Sequence, residues 1–351
     1  MPYDDVVRVL DEAVTQRAFP CACVEVGTSR GPVFAHASGR LTYDPDAVPA
    51  GATTIFDLAS LTKVLATMPM AIAAVERGVV RLDTRVADRV RHWRDDSRAT
   101  ATLADLLAHS AGLTSHLPFY RDHVGRTDVE HSIATLPLEY PVGSRSIYSD
   151  LGFMLLGWLL EDALQASAPE FMRPVQAALG TDTLAFRPSP HLRGRMAPTG
   201  TSPWRGRTLV GEVHDDNCAL LGGCAGHAGL FGTAADVGRW AAHWLSGLGG
   251  HATSAFGSAT TLRRFMQRTS VPGSSRALAW DTMLPTSSCG TRISEDAVGH
   301  TGFTGTSLWI DHRRGLYVVL LTNRVHPDAS NQAILSVRRH VHDAVIAAFD
   351  A

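Results

Sequence analysis

Residues 56–63 have the sequence Phe56-Asp57-Leu58-Ala59-Ser60-Leu61-Thr62-Lys63, and a long apolar run follows them. Residues 64–75 are apolar on nearly every side, which predicts a helix buried on most of its surface. Ser60 and Lys63 are three residues apart, so they lie side by side on the first turn of this helix. Burial favours the neutral amine of a lysine, and a neutral Lys63 could accept a proton from the Ser60 hydroxyl. Pro69 lies inside the run and predicts a kink or a local unwinding of the preceding turn.

Composition limits the class of protein. The chain has 351 residues, a formal net charge of −2, 45% hydrophobic residues and 19% charged residues. This length suits one large domain or two closely packed ones. The charge balance gives no electrostatic reason to expect nucleic acid or an anionic membrane as a partner. The five cysteines lack the spacing of a metal finger, and Cys21 and Cys23 fall on one face of a predicted strand, which indicates buried thiols.

The chain shows no targeting or membrane signal by sequence. Residues 1–8 have neither a basic n-region nor an apolar h-region, so we expect a cytoplasmic protein. An exported mature form is the alternative, because a removed signal peptide leaves no trace in the sequence. The longest apolar segments, near 64–75 and 151–160, are too short or too interrupted to span a bilayer.

Strand patterns occur at both ends of the chain, and helical patterns occur between them. The first end predicts a helix and a hairpin, over residues 4–18, 21–27 and 32–37. The last third predicts a three-stranded meander and a final helix, over residues 297–302, 306–311, 316–322 and 329–349. This order predicts an α/β sandwich, in which helices from both termini flank one antiparallel sheet and a mostly helical lobe is inserted. We assign residues 1–81 and 255–351 to the sheet domain and 82–254 to the inserted helical domain, with the active site between them.

Three short motifs occur in a fixed order along the chain. They are Ser60-Leu61-Thr62-Lys63, Tyr148-Ser149-Asp150 and His300-Thr301-Gly302. In this order they resemble the Ser-x-x-Lys, Tyr-x-Asn and Lys-Thr-Gly signatures of the serine β-lactamase and penicillin-binding protein superfamily. Residues 56–60, 106–113 and 299–305 are similar to its class C β-lactamase-like branch, which includes esterases, D-aminopeptidases and carboxypeptidases. The resemblance covers essentially the whole chain.

The resemblance implies a catalytic role for each motif. Ser60 would be the nucleophile that forms an acyl-enzyme, because a serine hydroxyl needs a nearby group that accepts its proton. Lys63 would help to deprotonate Ser60, and Tyr148 would act as partner base and then as proton donor to the leaving group. The backbone N–H groups of Ser60 and Phe303 would form the oxyanion hole, where one donor is typically worth ~3–4 kcal/mol.

Two residues depart from the family pattern. Asp150 replaces asparagine, so a carboxylate that only accepts hydrogen bonds replaces an amide. His300 replaces lysine, so a permanent cation gives way to a side chain that is mostly neutral at neutral pH. Both changes weaken the case for an anionic β-lactam or a peptide carboxylate as substrate, and we predict a small neutral ester or amide. The predicted function is a serine hydrolase, most simply an esterase. A β-lactamase, a D-Ala-D-Ala carboxypeptidase, a D-aminopeptidase and an acyltransferase are alternatives, as is a non-catalytic binding protein on the same scaffold.

The remaining site predictions concern substrate contact. The small side chains of Thr301 and Gly302 would let an edge strand approach the substrate closely, and Asp150, His300 and His227 are further candidates for the pocket wall. His109 is predicted to bind backbone as a structural residue. The cluster at 214–217 contains histidine and aspartates, but adjacent residues rarely converge on one ion, so we predict no metal site. The chemistry requires no cofactor.

Overall fold

A six-stranded antiparallel sheet forms the centre of the molecule in a computed structural model, which describes residues 2–250 and 255–351. The strands of the described residues are β1 (Cys21–Thr28), β2 (Gly31–Gly39), β3 (Phe56–Asp57), β4 (Ala185–Phe186), β5 (Thr201–Ser202), β6 (Arg207–Thr208), β7 (Leu230–Gly232), β8 (Asp281–Thr282), β9 (Val298–Thr301), β10 (Ser307–Asp311) and β11 (Leu316–Thr322). The large sheet has the order β2-β1-β11-β10-β9-β8. Strands β3, β7 and β4 form a second sheet, and β5 pairs with β6.

Helices cover both faces of the large sheet. The helices of the described residues are α1 (Asp4–Thr15), α2 (Met68–Glu76), α3 (Leu103–Leu107), α4 (Gly125–Thr135), α5 (Asp150–Leu164), α6 (Ala168–Leu179), α7 (Asp216–Leu220), α8 (Ala234–Leu248), α9 (Ala259–Met266) and α10 (Ile334–Asp350). Helices α1 and α10 pack against each other on one face of the sheet, and α8 packs against β1 and β11 on the other. The prediction of an α/β sandwich flanked by terminal helices is confirmed.

Alternation of side chains along β1 explains this layering. Val24 and Val26 join the hydrophobic cluster of α1 and α10, whereas Cys21 and Cys23 join the cluster beneath α8. Successive residues of a strand point to opposite faces, so a strand covered on both sides is apolar throughout. The buried position of Cys21 and Cys23 confirms the prediction made from their spacing.

The segment that carries Ser60 is not a uniform α-helix. It begins as a 3₁₀ turn at Ala59–Leu61, widens into a π-helix at Lys63–Thr67 and becomes α2 only at Met68. Pro69 lies in the first turn of α2, where its missing N–H and its ring are tolerated. The predicted disturbance before Pro69 is confirmed as this π-helical turn. Such turns often occur at functional sites.

Several helices between α3 and α9 were not predicted. Helix α6 starts with a capping box formed by Ser167 and Glu170, a local signal that could have identified it. Helix α4 has no side-chain cap and only a weak apolar stripe, so its sequence carries little helical signal. The domain division at residues 82–254 stays a prediction; α8, which lies within that range, packs on the sheet.

One segment of the described residues, Ala59–Glu76, is long and apolar enough to cross a membrane by length and composition. The continuous helical segment is longer than the apolar run 64–75 seen in the sequence. Its residues are 78% buried inside the protein. A core helix has the same properties, so this segment is weak support for a membrane span.

Candidate active site

A strained turn presents Ser60. Ala59 has a φ of 47°, a left-handed conformation that costs an L-residue about 1–2 kcal/mol. The Asp57 carboxylate holds this turn, because its Oδ1 accepts the Ala59 N–H at 2.8 Å and its Oδ2 accepts the His214 N–H at 2.6 Å. Burial raises the pKa of Asp57 to about 6, although both backbone hydrogen bonds oppose that rise. Asp57 therefore ties the turn before Ser60 to the segment that contains His214.

Two side chains converge on the Ser60 hydroxyl. Lys63 Nζ donates to Ser60 Oγ at 3.0 Å, and the Tyr148 hydroxyl donates to the same atom at 2.6 Å. Lys63 Nζ also lies 4.8 Å from the centre of the Tyr148 ring. The structure thus brings together the three residues predicted as catalytic. Their chemical roles stay predictions.

Lys63 is paired with a carboxylate in this arrangement. Its side chain is fully buried, and its Nζ donates to Asp150 Oδ1 at 2.8 Å and to the His227 carbonyl at 3.0 Å. Burial by itself lowers the pKa of Lys63, but the Asp150 carboxylate and the Tyr148 phenol raise it above its ordinary value. The ion pair with Asp150 therefore opposes the neutral amine that burial alone predicts, and sequence spacing could not show that Asp150 reaches Lys63.

Asp150 is stabilised as a carboxylate from two sides. It is the first residue of α5, where the positive end of the helix favours an anion. Burial alone would raise its pKa, but the charge of Lys63 and the contact with His116 hold the pKa far below its usual range. The buried ion pair between Asp150 and Lys63 thus leaves this part of the site without net charge.

His109 positions Tyr148. Its Nδ1 accepts the Ser149 N–H at 3.0 Å, and its carbonyl accepts the Tyr140 hydroxyl at 2.9 Å and the Ile147 N–H at 3.0 Å. These contacts agree with the prediction of a structural histidine that binds backbone. Burial raises the pKa of Tyr148; the charge of Lys63 opposes this rise, and the carboxylate at position 150 adds to it.

The third motif lies directly against the turn of Ser60. Thr304 Oγ1 donates to the Asp57 carbonyl at 2.7 Å, and Thr306 Oγ1 donates to the Leu58 carbonyl at 3.1 Å. A Cβ atom at Gly302 would lie 2.7 Å from the Leu58 carbonyl oxygen and 2.1 Å from Thr306 Oγ1. Only glycine permits this approach. It brings Gly302, the residue before Phe303, against the turn that precedes Ser60. The oxyanion hole of the Ser60 and Phe303 N–H groups stays a prediction.

Two arginines fix the peptides of this motif. Arg338 Nη2 donates to the carbonyls of Gly302 and Thr306, at 2.8 Å each. Arg324 Nε donates to the Phe303 carbonyl at 2.8 Å. Both arginines are buried. The sequence analysis missed them, because neither is near the motifs in sequence and arginine is frequent throughout the chain.

His300 is neutral, and a permanent cation lies near it. Its Nδ1 donates to the Thr301 carbonyl at 2.8 Å, while its buried Nε2 has no hydrogen-bond partner within the described part of the chain. Burial and the charges of Arg276 and Lys63 lower the pKa of His300 well below its usual value. The Arg276 guanidinium lies 5.4 Å from the centre of the Tyr148 ring. Among residues 2–250 and 255–351, no carboxylate forms an ion pair with Arg276. The sequence analysis missed Arg276.

His227 is held by a carboxylate, although it borders the cavity as predicted. Its Nε2 lies 2.9 Å from Asp215 Oδ1, and since a carboxylate only accepts, the ring donates this bond. His116, Asp150 and Asp215 bring three possible ligand atoms within 4.8 Å of one another. However, the two carboxylates already bind Lys63 and His227. We therefore assign no metal to this cluster.

These residues surround a cavity of about 740 Å³. Ser60, Tyr148 and Asp150 lie at its wall, together with the third motif. The Phe303 side chain is 56% exposed and lies beside the ring of His214 and the guanidinium of Arg324. A volume of this size accepts a small organic molecule. The cavity therefore combines a hydroxyl that is hydrogen-bonded to Lys63 and Tyr148, candidate oxyanion donors and room for a substrate.

Comparison with known proteins gives consistent matches. A family model described as Beta-lactamase matches residues 6–342. The chain is 30% identical over 316 residues to a protein of Escherichia coli (strain K12) named "Putative D-alanyl-D-alanine carboxypeptidase". This match covers 80% of this chain and 71% of that protein.

Solved structures show a similar fold. A class C beta lactamase from Rhodobacter sphaeroides matches with a TM-score of 0.75 and 19% identity, over 97% of this chain and 98% of the other. EstCE1, described as a hydrolase with promiscuous acyltransferase activity, matches with a TM-score of 0.76 and 19% identity, over 97% and 98%. At this level of identity the two structures support the fold alone.

Proposed function

Because the chain belongs to the beta-lactamase family of serine hydrolases, we propose that it is an esterase that hydrolyses small neutral esters through an acyl-enzyme on Ser60. One observation carries this proposal. Ser60 Oγ, at the wall of a substrate-sized cavity, receives hydrogen bonds from both Lys63 and Tyr148.

The proposed reaction has two halves. Tyr148 first loses its own phenol proton to solvent; Ser60 Oγ then attacks the ester carbonyl carbon, and its proton passes to the phenolate of Tyr148. The negative oxygen that forms accepts hydrogen bonds from the N–H groups of Ser60 and Phe303, which are fixed before the reaction begins. The phenol of Tyr148 then returns the proton to the leaving alcohol as the C–O bond breaks. Water releases the acyl group by the same steps in reverse.

The charges at two motif positions, His300 and Asp150, support a neutral substrate. His300 occupies the position where the family pattern has lysine, and burial keeps it neutral. At the second motif, Asp150 pairs with Lys63 and cancels its charge. A neutral ester therefore meets neither strong attraction nor repulsion from these two motif positions.

One observation favours a second candidate function, the hydrolysis of a β-lactam or a D-alanyl-D-alanine peptide. Arg276 borders the cavity and places a permanent cation above Tyr148. A guanidinium binds a carboxylate through paired hydrogen bonds. In this case Arg276→Ala would raise KM for substrates that carry a carboxylate and would leave KM for p-nitrophenyl acetate nearly unchanged.

Intact-protein mass spectrometry separates the candidates. We expect an acetyl adduct after mixing with p-nitrophenyl acetate, its absence in Ser60→Ala, and steady release of p-nitrophenol by the wild type. We expect nitrocefin to remain intact. Rapid turnover of nitrocefin would favour the second candidate, and ester turnover by Ser60→Ala equal to that of the wild type would exclude an acyl-enzyme on Ser60.

A further inference from the structure

The contacts of Lys63 bear on the protonation state of its amine. Lys63 Nζ is fully buried and contacts three oxygen atoms, Ser60 Oγ at 3.0 Å, Asp150 Oδ1 at 2.8 Å and the His227 carbonyl at 3.0 Å. An ammonium group has three N–H donors and no acceptor, so it satisfies all three contacts. A neutral amine has only two donors, and only the Ser60 hydroxyl could donate a proton to its lone pair. The buried Asp150 carboxylate at 2.8 Å favours the ammonium form over that arrangement.

Asp150 supplies the charge that makes this geometry stable. A buried ammonium without a counter-ion is costly, and an asparagine at this position would provide only a dipole. The carboxylate instead forms a buried ion pair, and its second oxygen faces the half-exposed His116 ring at 3.8 Å. The other titratable groups around the pair are His109, His116, Tyr148, Asp215, His227 and His300. Two of these, His109 and His300, are kept neutral by burial.

We propose that Asp150 is a positioning residue that keeps Lys63 fully protonated through the reaction, so that the proton of Ser60 can pass only to Tyr148. This assignment rests on the proposed function, since it concerns the acylation of Ser60. The Ser60 O–H bond breaks as the bond from Oγ to the carbonyl carbon forms, and the proton goes to the Tyr148 phenolate. The phenol then gives that proton to the leaving group, and Lys63 gains and loses none.

The carboxylate has a second consequence for Tyr148. With asparagine, the site would carry the uncompensated positive charge of Lys63, which favours a phenolate. With Asp150, that charge is cancelled, and the carboxylate also raises the pKa of Tyr148. Asp150 therefore moves the pH at which the site becomes active upward, compared with a site that has the amide.

The sequence offers a direct test, because lysine occurs once in the 351 residues, at Lys63. Protein labelled with [13C,15N]lysine gives the NMR signals of this residue alone. In the wild type we expect the shifts of an ammonium group throughout the pH range in which the esterase is active. In Asp150→Asn we expect the midpoint of the Lys63 titration to fall by about one unit or more. The basic limb of the profile of kcat/KM against pH should fall by a similar amount.

Asp216→Asn is the matched control. This carboxylate borders the same cavity but pairs with Arg205 at 2.7 Å, so its removal should leave the Lys63 titration in place. Shifts of a neutral amine in the active wild type would overturn the proposal, and that measurement needs no variant to fold. An unchanged Lys63 midpoint in folded Asp150→Asn would also overturn it. Failure of the proposed function would appear separately, as full ester turnover by Ser60→Ala.

Discussion

Replacing Gly302 by alanine should slow acylation of Ser60 without unfolding the protein. The new Cβ would lie 2.7 Å from the Leu58 carbonyl oxygen, whereas ordinary contact begins near 3.4 Å, so the two backbones must separate by about 0.7 Å. This movement would carry the Phe303 N–H away from the oxyanion position. Misplacement of this size, or loss of one oxyanion donor, costs on the order of 10²-fold in rate.

The measurement is the single-turnover rate of acetylation by p-nitrophenyl acetate, with the melting temperature recorded in parallel. Gly152→Ala is the matched control, because a Cβ there meets its nearest atoms only at 3.7 Å or more and an α-helix prefers alanine. The control should acylate at the wild-type rate. A wild-type acylation rate in Gly302→Ala would refute the argument that close approach of this motif builds the oxyanion hole.

Three further outcomes follow from the site. Lys63→Ala should lower the acylation rate by roughly two orders of magnitude or more. It should also lower the free energy of unfolding, because the Asp150 carboxylate loses its counter-ion. Adding Asp150→Asn should recover the stability measured by urea denaturation but not the activity measured by ester assays. The raised pKa of Asp57 means that the folded protein binds its proton more tightly than the unfolded chain between about pH 4 and 6. The contribution of Asp57 to stability therefore falls as the pH rises through this window, by up to about 1.4 kcal/mol per pH unit. The difference in free energy of unfolding between the wild type and Asp57→Asn should show that slope. A difference that does not change with pH would contradict this prediction. EDTA should leave kcat for ester hydrolysis unchanged, and activity that returns only with an added divalent metal would contradict our assignment of no metal.

The residues brought together around Ser60 were predictable where a motif contained them. Ser60, Lys63 and Tyr148 each belong to a short pattern, and the order of the three patterns specifies that they meet. The strands at both ends of the chain could also be predicted, because β1 and β11 are mostly apolar runs between clear turns. Local sequence was sufficient to predict these three residues and these strands.

The residues that tune the site were not predictable in the same way. Arg324 and Arg338 act through hydrogen bonds to backbone carbonyls of the third motif, and no spacing in the sequence identifies such contacts. The ion pair of Lys63 was missed for a related reason. Burial could be inferred from the apolar run, but the ion pair with Asp150 joins positions 87 residues apart. Electrostatic balance in a buried site depends on such distant partners.

The buried position of the single lysine gives this protein a built-in reporter of local opening. Its surface cations are arginines, so Lys63 offers the only side-chain amine of the chain. Because that amine has no exposed surface, an amine-reactive reagent can modify it only in molecules in which the structure around Lys63 has opened or unfolded. The mass gained at Lys63 during a short exposure to the reagent would therefore count the fraction of open molecules. A substrate bound in the cavity should reduce that fraction.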